Sequence, residues 1–267
     1  MRRRHLFEWN DAAWAPVALR ETIVEALSRT LAWGRILHGA AAPFRAFLER
    51  TDAREVLDLC SGAGGPAVIL ADELVRAGVR PPRFILTDLH PQIASWERLR
   101  RRHPETLDFI REPVDATRIP HDLGRGRARV IVNALHHLPP ELAGPVLRGA
   151  SGDGPGVFVV EGFERNPLRF GAFAPAGIPA LLVNPLLTDT HRLEKVALTW
   201  LTPAALAASV WDGVVSTLRV YTEEELRRMV APVGDAFDWT YGTWDFPAFG
   251  RGYYFYGVAR RQTGPRV

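Results

Sequence analysis

Five short apolar runs, at 56–60, 84–88, 107–110, 129–133 and 156–161, constrain the fold of this chain more than any other feature. Each is rich in valine, isoleucine, leucine or phenylalanine and is bounded by turn-forming or acidic residues, as expected of strands buried on both faces. Helix-length segments separate them. Val68, Ile69, Leu70, Leu74 and Val75 keep helical spacing after the first run, and 91–102 reads as a helix after the second. Short buried strands alternating with helices predict a mostly parallel sheet covered on both sides, an α/β domain of the doubly wound kind.

Other material frames this alternation. Residues 11–50 carry a helical stripe of Leu19, Ile23, Leu27 and Leu31, resumed by Phe44, Phe47 and Leu48. Residues 164–220 are helical or irregular, rich in proline and apolar groups. Thr222 with Glu225 three residues later reads as a capped helix start, and 238–246 and 253–259 read as two strands joined around 247–251. The expected organisation is an N-terminal helical cap over 1–50, a core over 51–163 and an apolar helical insertion over 164–220. A helix and terminal strand pair over 221–267 complete the core, and the last half-dozen residues form a disordered tail.

Composition narrows the function classes. The cations are almost all arginine, Lys195 being the only lysine, and no arginine cluster is interleaved with aromatics as a base-stacking platform requires. No nucleic-acid partner is expected. Met1-Arg2-Arg3-Arg4 opens like a signal peptide, but His5-Leu6-Phe7-Glu8-Trp9 follows in place of an apolar run. The single cysteine, Cys60, excludes an internal disulfide and fits a reducing compartment, so a cytoplasmic location is the expectation. The apolar stretches 170–187 and 196–218 are broken by Pro175, Pro179 and Pro185, and by Pro203 and Asp212. Neither supplies the roughly 20 unbroken apolar residues of a spanning helix. They read as a buried or substrate-facing cap, with peripheral membrane contact as the alternative.

The first strand enters Ser61-Gly62-Ala63-Gly64-Gly65, where bare backbone turns sharply and approaches a ligand closely. Asp88 ends the second strand, placed to accept hydrogen bonds from a ribose diol at the carboxyl edge of the sheet. Three readings are open at this point. Gly62-x-Gly64-x-x-Ala67 also satisfies the dinucleotide fingerprint of nicotinamide enzymes, and a tight strand–helix turn needs no ligand at all.

The neighbouring residues carry a resemblance. Asp58-Leu59-Cys60-Ser61-Gly62-Ala63-Gly64 resembles motif I of class I S-adenosylmethionine-dependent methyltransferases, with cysteine where a first glycine is common. Asp88, followed by Leu89, matches that family's ribose-gripping acid. Asp115-Ala116-Thr117 with Ile119-Pro120 looks like the motif whose acid sits beside the adenine amino group. Asn133-Ala134-Leu135-His136-His137-Leu138-Pro139 is similar to the segment after strand four in small-molecule methyltransferases. The resemblance covers about residues 54–163 and the terminal strand pair. It implies a seven-stranded sheet with an antiparallel last strand and S-adenosylmethionine as cofactor. Asp58, Cys60, Ser61, Gly62, Gly64, Asp88, Leu89, Asp115, Ala116 and Asn133 are then the cofactor-binding residues. More loosely, Phe7-Glu8-Trp9, Trp14-x-Pro16 and Trp211-Asp212-Gly213-Val214-Val215-Ser216 resemble a bacterial methyltransferase group, which implies that cap and insertion act as one unit.

Methyl transfer from a sulfonium needs alignment first and a base only where the nucleophile carries a proton. His136 and His137 follow strand four, and either could serve as base, with His137 preferred. The alternative is one histidine satisfying loop carbonyls while the other packs on the cofactor. Asp212, in an apolar stretch, is a further catalytic candidate or else a helix-end cap or a partner of Arg219. Trp9, Trp14, Trp200 and Trp211 wall an acceptor pocket or are plain core, and Glu161 touches the acceptor or caps a turn. Cys60 reads as a small hydrophobe under the loop, and Glu194 and Lys195 as solvated surface. The histidines at 5, 38, 90, 103, 121 and 191 lack zinc-type spacing, so no metal is expected. The expected function is methylation of a small hydrophobic or aromatic metabolite, in specialised metabolism, by a monomer or homodimer. A cofactor-binding regulatory subunit and a nicotinamide-dependent oxidoreductase are the alternatives.

Overall fold

Strands β1 (Glu55–Asp58), β2 (Arg83–Leu86), β3 (Leu107–Phe109), β4 (Ala128–Val132), β5 (Gly156–Glu161), β6 (Phe237–Phe246) and β7 (Gly250–Ala259) form one sheet. Their order is β3-β2-β1-β4-β5-β7-β6. The first five are parallel, with Val56 beside Phe84 and Ala128, and Val132 beside Val160. β7 runs antiparallel to β5, Glu161 pairing with Tyr253. The computed structural model describes residues 2–150 and 154–260; the tail expected over the last half-dozen residues lies outside them. The helices are α1 (Val17–Trp33), α2 (Ala41–Thr51), α3 (Gly65–Arg76), α4 (Ile93–Arg102), α5 (His121–Gly124) and α6 (Pro140–Ala150). After β5 come α7 (Ala174–Leu182), α8 (Asn184–Leu187), α9 (Arg192–Val196), α10 (Ala204–Arg219) and α11 (Glu223–Val230).

All five expected core strands form. Every residue of β4 and β5 is buried, Arg129 and Glu161 included, which is why those runs are mostly apolar rather than alternating. Four strands end one or two residues before their apolar runs do, and at two of them the backbone leaves the sheet through a left-handed residue: Cys60, beyond β1, has φ 58°, and Asn133, beyond β4, has φ 54°. At the C-terminus each strand has ten residues, and the second begins at Gly250, not at 253, because Ala248 (φ 62°) and Phe249 (φ 64°) turn the chain tightly.

The chain divides into two compact units. The larger comprises Ala40–Glu161, Glu223–Gly242 and Tyr253–Val267. It includes α2, whose Phe44 and Phe47 rings pack on Phe158 of β5 at centroid distances of 4.8 and 5.4 Å. The other comprises Met1–Gly39, Gly162–Thr222 and Thr243–Gly252. Within it α1 packs against α7 to α10, and the stripe residues Leu19, Ile23 and Leu31 are buried. Among the described residues, no single helix is long and apolar enough to cross a membrane.

One expectation is corrected in the second unit. Glu194 is exposed, but Lys195 is fully buried. Its ammonium donates to Thr188 Oγ1 at 2.6 Å and pairs at 2.9 Å with both Glu21 and Glu25 of α1. Two carboxylates and a hydroxyl replace the water a buried ammonium gives up.

Candidate functional site

The sheet order reverses between β1 and β4, and in open α/β sheets ligands bind at such a switch point, beyond the carboxyl ends of the strands. The chain there is built to turn. Cys60, Gly62 (φ 50°) and Gly64 (φ 83°) are all left-handed. Cys60 therefore adopts the conformation of the glycine that motif I commonly carries, at a cost of roughly 1–2 kcal/mol for a residue with a Cβ. The turn is laced to β2: Thr87 donates its N–H and its hydroxyl to the Asp58 carbonyl at 3.0 and 2.7 Å, and Ser61 N–H donates to the Thr87 carbonyl at 3.0 Å. Gly64 has no room for a side chain, since a Cβ would stand 2.9 Å from Leu86 and Leu99 methyls. Gly62 is the opposite case. A Cβ there would meet nothing within 4 Å, so the loop presents an open face.

Three acids surround this loop. Asp58 is buried, its Oδ1 has no hydrogen-bond partner, and burial, with a contribution from Asp88, raises its pKa to about 7. Asp88 accepts Gly62 N–H on Oδ2 at 2.9 Å and His90 N–H on Oδ1 at 2.8 Å, and each oxygen keeps a lone pair for a further donor. Asp115 is exposed. Its Oδ1 accepts both the hydroxyl and the N–H of Thr117, which hold the carboxyl below its ordinary range. Burial and the charges of Asp88, Asp58 and Asp115 push the Cys60 thiol up to about 12, consistent with an inert packing role. A buried acceptor with no donor, a half-satisfied carboxylate and an open glycine face fit a ligand carrying an ammonium group and a ribose diol.

Beyond β4, a short turn over Leu135–His137 carries the two histidines. His136 is buried against Glu161 at the end of β5: Nδ1 lies 2.8 Å from Oε2, and the His136 N–H donates to Oε1 at 3.1 Å. Burial raises the Glu161 pKa to about 8, opposed by the backbone N–H of His136, the charge of His137 and the N–H of Leu135. The two imidazole rings lie 4.1 Å apart. A carboxyl fixing Nδ1 orients the ring and directs proton exchange to Nε2.

The larger unit thus brings together Asp58, Cys60, Ser61, Gly62, Gly64, Asp88, Asp115, Asn133, His136, His137 and Glu161. Leu89 is exposed and Ala116 half-buried in the same unit. Asp212, Trp14 and Trp211 belong to the other unit. There Asp212 accepts the N–H groups of Trp9 and Asn10 at 2.7 and 2.9 Å, as a turn cap would. Trp14, Trp200 and Trp211 are exposed and so are not core. Sequence reasoning missed Trp96, whose Nε1–H donates to the Gly62 carbonyl at 2.8 Å and pins the loop to α4. Its signal was a large apolar residue on a helix otherwise dominated by arginine. It also missed the pairing of His136 with Glu161, which the parallel register of β4 and β5 makes natural.

No protein-family model and no curated protein matches the chain. Among solved structures, a provisionally named O-methyltransferase from Nostoc punctiforme is similar over 96% of this chain, with a TM-score of 0.50 and 13% identity. This chain spans 64% of that protein's length. The plantazolicin methyltransferase BpumL, solved with S-adenosylhomocysteine, aligns over 91% of this chain and 99% of its own at TM-score 0.46 and 12% identity. The nicotinamide-binding sheet has order 3-2-1-4-5-6, without the antiparallel strand that stands here between β5 and β6. The chain has the seven-stranded fold of the class I methyltransferases.

Proposed function

We propose that this chain is an S-adenosylmethionine-dependent methyltransferase acting on a small apolar or aromatic molecule. The observation that carries the reading is the convergence of Asp58, Asp88 and Asp115 on an open left-handed loop at the switch point of the sheet. Asp58 Oδ1 holds the cofactor's amino group, Asp88 its ribose hydroxyls and Asp115 its adenine amine. When bound, S-adenosylmethionine supplies a methyl group already activated on a sulfonium. The protein's work is then alignment of the acceptor with that methyl, worth roughly 7–11 kcal/mol.

His136 is the base for an acceptor that carries a proton. Once Glu161 ionises, which burial delays to about pH 8, its carboxylate accepts Nδ1–H and Nε2 is the atom that takes the acceptor's proton. The geometry favours His136, whose Nδ1 is held 2.8 Å from the buried Glu161 carboxyl. The apolar character of 164–220 supports an apolar acceptor. The test incubates the purified chain with S-adenosylmethionine and a panel of phenols, hydroxyquinones and arylamines, and follows S-adenosylhomocysteine. Acceptor-dependent release, lost in His136→Ala, is expected. No release with any acceptor, together with oxidation of a nicotinamide cofactor, would overturn the assignment.

A further inference from the structure

The helices after β5 contain two stretches without a charged residue, 171–188 and 196–211, yet much of their apolar surface is exposed. On α10, Leu206 and Val210 lie one turn apart and both are exposed, as is Trp211. Phe7 stands between the rings of Trp14 and Trp211, at 6.1 and 5.9 Å, and Trp14 is 71% exposed. Trp211 Nε1–H donates inward to the Phe7 carbonyl at 2.9 Å, so its exposed surface is carbon. Apolar area of this kind marks an interaction surface.

Charge just ahead of Phe7 in the same N-terminal segment selects the partner. Arg4 N–H donates to the Leu218 carbonyl at 3.0 Å, which fixes the basic run Arg2-Arg3-Arg4-His5 at the C-terminal end of the helix. The acids nearby are engaged within the unit: Arg219 pairs with Glu8 at 3.1 Å and Asp11 at 2.6 Å, and the buried Asp212 accepts two backbone N–H groups. Arg2 and Arg4 are exposed and make no ion pair among the described residues. Aromatic carbon beside exposed arginines matches the interfacial zone of an anionic bilayer.

We infer that the face formed by α10 and the N-terminal segment docks on an anionic lipid surface. Phe7, Trp14 and Leu206 enter the headgroup zone, and Arg2 and Arg4 meet the lipid anions. The full chain is floated through a density gradient with vesicles of phosphatidylcholine, with and without phosphatidylglycerol. Flotation with the anionic vesicles is expected. Arg2→Gln with Arg4→Gln should lower the partition coefficient about thirty-fold, with the melting temperature unchanged because both side chains are exposed, and Trp14→Ser about ten-fold. Absence of flotation with anionic vesicles overturns the inference. So does a stable dimer, seen by light scattering, that Leu206→Glu separates, since a second copy would then cover this face.

Discussion

Glu161→Gln isolates the buried carboxyl beside His136. Burial raises the Glu161 pKa to about 8, so near neutrality the folded chain holds a proton that an unfolded glutamate, with pKa about 4.3, has released. A folded pKa above the unfolded one stabilises the fold fully below about pH 4.3 and loses that contribution as pH rises through about 8. At about 1.4 kcal/mol per pH unit, the loss has an upper bound of about 5 kcal/mol. Asp58, raised to about 7 by burial, gives a slope of the same sign in a lower window, so the fall between about pH 7 and 8 belongs to Glu161. Glutamine cannot titrate. Its carbonyl keeps the His136 N–H, and its amide donates to Nδ1, which forces the proton onto Nε2 and removes the base. Urea denaturation from acid to mildly alkaline pH should show wild type losing stability between about pH 7 and 8 while the variant does not. Turnover at pH 8 should fall roughly 10²–10⁴-fold in the variant. A wild type with no slope in that window would refute the buried neutral carboxyl, and a fully active variant would refute His136 as base.

Asp88→Ala removes the acceptor for two ribose hydroxyls and should weaken S-adenosylhomocysteine binding roughly 10²–10⁴-fold, read by calorimetry, while Trp96 still holds the loop. Cys60→Gly relieves the left-handed backbone at φ 58° and should stabilise the chain by about 0.5–1 kcal/mol; a loss in denaturant midpoint would count against the strain. Lys195→Met leaves Glu21 and Glu25 facing each other without their ammonium and should cost about 1–3 kcal/mol in chemical denaturation.

The strands and the cofactor loop were legible because local rules decide them: buried parallel strands cannot alternate, and a turn that needs left-handed backbone advertises itself with glycine. Cys60 shows the limit of that rule, since the conformation persisted where the residue type did not. What the sequence concealed was set by packing across many residues. Lys195 reads as surface until two carboxylates of α1, far away along the chain, are folded beside it. Asp212 reads from sequence as a catalytic group, a cap or a partner of Arg219, and only the fold shows both oxygens accepting the N–H groups of Trp9 and Asn10. The partner of His136 likewise waited on the placement of Glu161.

Titration calorimetry of the purified protein with S-adenosylhomocysteine, run beside a nicotinamide dinucleotide, addresses the assignment most directly. Saturable one-site heat with the adenosyl ligand alone, strengthening as pH rises through about 7 while Asp58 ionises to meet its ammonium group, is the expected result. Heat with the dinucleotide and none with S-adenosylhomocysteine would contradict it.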